Sequence, residues 1–448
     1  MKHLSSSFAK AKSFMLLVYT HKITSRLRYT FKQVCTAILG IPVKYTTAVD
    51  EFIVHDGLKV SYTTKPLGKE LHIKSQEVLF EQGITDFEVN VQDWDGVQCF
   101  FPAGTKSAIP YDIFAAAFVL LSRYEEYLPH VKDENGRFPA TESLAHQEKF
   151  LTRPVIDMWA LRFKEVLQTA YPDFIWPKKE FDMRALIDVE QAYDFYATGI
   201  MRKLGGIVKD IAGLRFSRLF LRLRVDFGLR KDPYDTFSWL INVQKHAKRK
   251  FIYFFQLGDY STYTTNIRFN KKSFRELIKT VGDYSDIGLL LSREALNDAR
   301  QLKIEKQRIT GITNKPLESV RCTSHMTSLP LHYREMVAQE AYNDYSMGYP
   351  DTLGFRASTC TPFLFYDLDY ESPMPLMVHP VCAQSGVFES HVIKEAELNK
   401  GLDIFLEMLE TVKGLNGHFI FSFKNKSFTG KGDDEGQWKQ FFRQLVHE

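Results

Sequence analysis

From residue 180 onward, apolar runs of strand length alternate with stretches of helical period. Ala185, Leu186 and Ile187 form a short buried-strand pattern, and Phe251–Leu257 and Ile287–Leu291 read as further strands. Strands are also predicted near Val320, at Met377–Val381 and at His418–Phe423. Helices are predicted over Lys271–Tyr284, Arg293–Thr310, Pro330–Tyr342, Lys394–Leu415 and Gly436–His447. The helix Lys394–Leu415 has Leu398, Leu402, Phe405, Leu409 and Val412 on one stripe, the mark of a packing face. Alternation of this kind predicts an α/β fold with a parallel sheet or a barrel. The first part of the chain has a different rhythm. Phe52–Tyr62 and Leu71–Phe80 read as strands, Asp112–Tyr127 as a buried helix apolar nearly all round, and Pro154–Ala170 as a second helix opened by proline. Tyr171-Pro172 and Trp176-Pro177 then break the chain, and Lys178–Glu180 reads as a linker. The expected division is a loose extension over 1–14, with Met15 able to serve as a start, a smaller α/β domain over 15–178 and a barrel domain over 179–448.

Composition narrows this picture. At 448 residues the chain exceeds one ordinary core. Its 44% hydrophobic and 25% charged content is that of a folded domain, and 14% aromatic residues exclude a disordered one. A net charge of +4 gives no reason to expect nucleic acid. Five scattered cysteines without a CxxC pair fit a reducing compartment and no disulfide framework. The apolar run Phe14–Val18 is too short for a signal segment, and no stretch approaches a membrane span. The expectation is a cytoplasmic protein.

Candidate chemistry falls where strands end. Asp188 and Glu190, two apart on a strand, point the same way. Such a pair suits a general base beside a metal ligand, and equally a solvated strand end. Ser292, Arg321–His325, Arg356, His379 and Lys424 lie at other predicted strand ends, where a barrel carries its chemistry. Arg356 can clamp a carboxylate or phosphate or serve as a structural partner for an acid; Arg321 is similar. His379 is a catalytic candidate, or a hydrogen-bonded core histidine.

Several longer motifs carry a resemblance: Leu39-Gly-Ile-Pro-Val-Lys-Tyr-Thr-Thr, Ser122-Arg-Tyr-Glu-Glu-Tyr-Leu-Pro, Gly136-Arg-Phe-Pro-Ala, Lys231-Asp-Pro-Tyr-Asp-Thr-Phe, Tyr345-Ser-Met-Gly-Tyr and Gly354-Phe-Arg-Ala-Ser-Thr-Cys-Thr-Pro-Phe. Through them residues 15–448 resemble a bacterial polysaccharide deacetylase-like family common in Bacteroidetes. The resemblance implies an N-terminal domain of unknown role followed by a distorted, incomplete (β/α) barrel of the polysaccharide-deacetylase type. It implies carbohydrate metabolism, with hydrolysis of the amide bonds of N-acetylated glycans by a metal-bound water. Asp188 then matches the base, and Glu190 takes the place of the metal-binding acid. His379 is the second catalytic candidate, while Arg321, Arg356 and Ser292 remain for substrate binding. Leu290, Thr323 and Lys424 stand where the family has histidines, so a divalent metal such as zinc is expected only if the site is retained, with Glu190 a doubtful ligand and His325 a substitute only after a shift of the loop. Three outcomes stay open: an amide hydrolase with impaired catalysis, an inactive pseudoenzyme that binds a glycan or a partner, or a metal-free hydrolase that uses Asp188 and His379 and needs the two side chains within hydrogen-bond reach. Lys424 is expected to face Asp188 and Glu190 across the barrel mouth.

Overall fold

The computed structural model describes all residues except 1–14, 248, 262–263, 323–327, 385, 390–394, 430–435 and 448. The expected N-terminal extension, Thr323, His325 and the start of the Lys394–Leu415 helix therefore lie outside the described residues. The chain divides into two compact units. The first comprises Met1–Pro129, Pro154–Glu180 and Tyr366–Pro373, and the second comprises His130–Arg153, Phe181–Phe365 and Met374–Glu448.

The first unit holds a parallel sheet of β1 (Leu16–Tyr19), β2 (Val43–Thr46), β3 (Lys59–Thr63) and β4 (His72–Lys74), in the order β2-β1-β3-β4. A two-stranded antiparallel ribbon, β5 (Gln92–Trp94) and β6 (Val97–Cys99), lies apart from it in sequence. The predicted strand Phe52–Tyr62 is corrected. Its first part belongs to the helix Val49–Val54, in which only Phe52 is buried, and Asp50 and Glu51 suit the first turn of a helix. The helix predicted over Asp112–Tyr127 ends at Leu121. Asp112 caps it, its Oδ1 accepting from the amides of Phe114 and Ala115, while Tyr62 donates to Oδ2 at 2.6 Å. Arg123 then turns left-handed (φ 54°) and pairs with Glu126 at 2.8 Å while almost fully buried. The Ser122-Arg-Tyr-Glu-Glu motif thus makes a helix stop.

The larger sheet has eight strands, most of their residues in the second unit: β7 (Asp182–Val189), β8 (Ile252–Gln256), β9 (Asp286–Leu290), β10 (Ser319–Arg321), β11 (Asn343–Asp344), β12 (Phe363–Asp367), β13 (Ser372–Val378) and β14 (His418–Lys424). Their order is β12-β13-β11-β10-β9-β8-β7-β14. From β13 to β14 the neighbours run parallel. The sheet curls: past β13, the Cys382 amide donates to Ile420 O and the Ser422 amide to Ala383 O, so the chain reaches β14 at the far edge. The result is a distorted α/β barrel.

Strand alternation decides what fills it. Arg184, Leu186 and Asp188 share one face of β7, and Ile420, Ser422 and Lys424 are their register partners on β14. The inward residues Leu186, Ile252, Phe254, Leu290, Tyr345, Val381 and Ile420 form one buried apolar cluster across the middle. Gly288 makes this plug possible: a Cβ there would stand 2.4 Å from the Phe254 ring and 2.9 Å from Ser319 O. Outward residues pack on helices, as Phe419 and Phe421 do against Phe405 of the helix Glu395–Gly414.

Candidate functional site

The apolar plug separates two polar layers inside the barrel. The layer at the C-terminal strand ends is organised by Asp188 and Arg321, both essentially buried. Arg321 starts three strands away on β10 and crosses the interior to grip Asp188 at two points, Nε to Oδ1 at 2.7 Å and Nη2 to Oδ2 at 3.1 Å. Nη2 also donates to Ser422 Oγ at 2.7 Å, and Nη1 donates to Tyr345 O. All three guanidinium nitrogens are therefore engaged. Burial pushes the Asp188 carboxyl above its ordinary value, and Arg321 opposes that shift.

Glu190 does not share this arrangement. Lys424 Nζ reaches its Oε2 at 3.0 Å and Lys426 Nζ at 3.7 Å, in a partly exposed cluster. The expectation that Lys424 faces both Asp188 and Glu190 is met at Glu190; its charge also acts on Asp188, but the direct partner there is Arg321. Lys424 is the direct register partner of Asp188, but its long stem carries the ammonium to Glu190, and the planar fork of Arg321 matches Asp188.

The layer at the strand starts is organised by Asp182, Arg184 and His379. Arg184 donates through Nε to Asp182 Oδ2 at 2.7 Å and through Nη1 to the Tyr345 hydroxyl at 3.3 Å, and His418 Nδ1 also reaches Asp182 Oδ2 at 3.2 Å. His379 stacks on the Tyr345 ring, centroids 4.3 Å apart and planes 8° from parallel. Its Nε2 donates to Asn343 Oδ1 at 3.0 Å, which leaves Nδ1 an acceptor without a partner among the described residues. Burial, then the neighbouring Arg184 charge, lowers the imidazole to about 3. Arg184, Asn343, Tyr345 and His379 line a cavity of about 660 Å³ that opens beside the strand starts Asp286 and Ser319. The sequence expectation of one mouth holding both Asp188 and His379 is corrected, because His379 follows β13 at the level of Asp344, whose carbonyl accepts its amide, and its ring turns toward Arg184.

The remaining candidates sit apart. Ser292 is fully buried: its hydroxyl caps the helix Arg293–Asn297 at the Ala295 amide and donates to Glu305 Oε1 at 2.5 Å. Arg356 lies with its guanidinium 5.3 Å from the Tyr349 ring centroid and lines a cavity of about 100 Å³ with Arg137, Cys322 and Ser346. Among the described residues, no group of three or more His, Cys, Asp or Glu side chains comes together in a way that could hold a metal ion. Sequence patterning missed Ser422, Tyr345 and Arg184 as members of these layers. The period-2 signal was present for Ser422 and Arg184, which share faces with Lys424 and Asp188.

With this geometry in hand, comparisons place the chain among known proteins. A family model described as a family of unknown function (DUF7033) matches residues 16–172. A search of curated proteins finds no match. Among solved structures, the chain is similar to a protein of Mycobacterium smegmatis assigned as a polysaccharide deacetylase, at 12% identity and TM-score 0.37, over 61% of this chain and 86% of that one. A mutant of a CE4 family pseudoenzyme with restored enzymatic activity is 11% identical, TM-score 0.23, over 55% and 66%. A GH138 enzyme targeting pectin rhamnogalacturonan II is 12% identical, TM-score 0.27, over 97% of this chain and 51% of that one.

Proposed function

We propose that the barrel unit is a deacetylase-like carbohydrate-binding module that does not hydrolyse amides through a metal-activated water. The observation that carries the reading is the two-point Asp188–Arg321 contact. A general base must have a lone pair free to take a proton within reach of the substrate. Asp188 is buried out of reach of a substrate, and the guanidinium on both its oxygens favours the ionised form over the protonated one. The same contact bears on the divalent metal implied by the sequence resemblance. A catalytic zinc takes about three protein ligands, and a guanidinium lying against Asp188 repels a cation there. Glu190 is held by two lysines, and Leu290 belongs to the apolar plug. The described residues do not fit such an ion.

The carbohydrate comes from the sequence motifs quoted above, and Arg356 with Arg137 supplies polar groups at the same end of the strands as Cys322 and Ser346. The test is calorimetric titration of the purified chain with N-acetylglucosamine oligomers, run alongside an acetate-release assay with and without zinc. Saturable heat without acetate release is the expected result. Zinc-stimulated acetate release would overturn the reading.

A further inference from the structure

Between Ile200 and Leu229 the usual pattern of burial is inverted. The helices Ile200–Ala212 and Phe216–Asp226 meet through charge. Asp210 and Arg222 are both buried, with Nε and Nη2 of Arg222 on Asp210 Oδ2 at 3.0 and 2.9 Å. Lys203 pairs with Asp226 across the same hairpin, and Arg222 lies 4.6 Å from the Phe195 ring centroid beneath it. The apolar side chains face out. Ile200, Met201, Leu204, Val208 and Ile211 recur at helical spacing and are between 50% and 84% exposed. Leu214 continues the face through the turn, and Phe216, Phe220, Phe227 and Leu229 extend it, each more than half exposed.

Isolated exposed apolar residues are ordinary, but a contiguous face of this kind marks a surface that meets something. The charge around it says what. Residues 200–231 contain nine Lys or Arg against two Asp, a net of +7 where the whole chain carries +4. Lys209, Arg215, Arg224, Arg230 and Lys231 are exposed. An apolar face bordered by cations matches the boundary between acyl chains and phosphates in a bilayer. No helix among the described residues is long and apolar enough to cross a membrane, so the fit is to its surface.

We propose that the 200–231 hairpin is a membrane-surface anchor that seats its apolar face in a bilayer containing anionic lipid. The buried Asp210–Arg222 pair ties the two helices together. The apolar side chains enter the acyl region, and the exposed cations meet the phosphates. This surface is independent of whatever the barrel mouth binds.

The test is co-sedimentation of the full chain with vesicles of phosphatidylcholine alone and of phosphatidylcholine mixed with phosphatidylserine. The chain should bind the mixed vesicles more tightly, with affinity falling as salt rises. Phe216→Ser combined with Phe220→Ser should lower partitioning by about a hundredfold, from the apolar area withdrawn. Arg215→Glu combined with Arg224→Glu should lower it on the mixed vesicles and leave phosphatidylcholine binding unchanged. All four positions are exposed, so both variants should melt in buffer like the parent. Failure of the parent to sediment with either vesicle, or equal binding to both, would overturn the proposal. So would a parent dimer in solution that the serine variant converts to monomer, because the face would then be covered by a second copy.

Discussion

Arg321 reaches from β10 across β9 and β8 to hold Asp188 of β7 at two points inside the barrel, at 2.7 and 3.1 Å. The pair is buried away from bulk solvent, and Ser422 and the Tyr345 carbonyl take up the donors that Asp188 leaves. Breaking such a pair from one side leaves a buried charge uncompensated, at about 3–5 kcal/mol. Arg321→Met should therefore cost about that much in urea denaturation, and Asp188→Asn a comparable amount. The double variant should cost less than the sum, because each change removes the partner that the other strands. Additive costs would mean that the two groups do not depend on each other.

Lys424 gives the contrasting case. Its pair with Glu190 is about a quarter exposed on each side, so solvent screens much of the attraction. Lys424→Ala should cost less than about 1 kcal/mol by denaturation. A loss as large as that for Arg321 would show that the lysine, not the arginine, compensates Asp188.

His379 predicts a pH dependence of stability. Its folded value, about 3, lies below the ordinary histidine value of 6.5. Between these values the unfolded chain takes up a proton that the folded chain refuses. The contribution is therefore complete above pH 6.5 and is lost as the pH falls toward 3. From pH 6.5 to 4.5 the loss amounts to about 2 kcal/mol, as the slope rises toward 1.36 kcal/mol per pH unit. Melting the parent and His379→Gln across this range should show a shallower fall in the variant. Parallel curves would place the histidine in a protonatable setting.

Gly288 tests the apolar plug. A methyl group there meets the Phe254 ring and the Ser319 carbonyl, and the backbone oxygen has no room to withdraw. Gly288→Ala should cost about 1–3 kcal/mol as an overpacking change. A neutral result in chemical denaturation would mean that Phe254 moves freely and that the two polar layers are not sealed from each other.

Much of the barrel's architecture was legible because periodicity reports which residues share a face. The predicted strands at 251–257, 287–291 and 418–423 coincide with β8, β9 and β14 to within one residue at either end. Periodicity does not report depth. It put Asp188 and Glu190 on one face but could not show that Leu186, Phe254 and Leu290 fill the space between the Asp188 and Arg184 layers. It also could not pair Asp188 with Arg321, whose contact depends on the two intervening strands and the curl of the sheet. The motif Lys231-Asp-Pro-Tyr-Asp-Thr-Phe, quoted for its resemblance, proves to hold a loop: Asp232 accepts from the amides of Asp194, Phe195 and Tyr196. The hairpin at 200–231 escaped notice for a related reason. An amphipathic pattern says that one face is apolar, but not whether that face turns toward the protein or away from it.

The central claim is that a guanidinium, not a metal ion, compensates Asp188. Its most direct test is elemental analysis of the full chain after incubation with zinc and exhaustive dialysis. The account predicts no stoichiometric metal in the parent. One tightly held ion per chain that disappears in Asp188→Asn would contradict it.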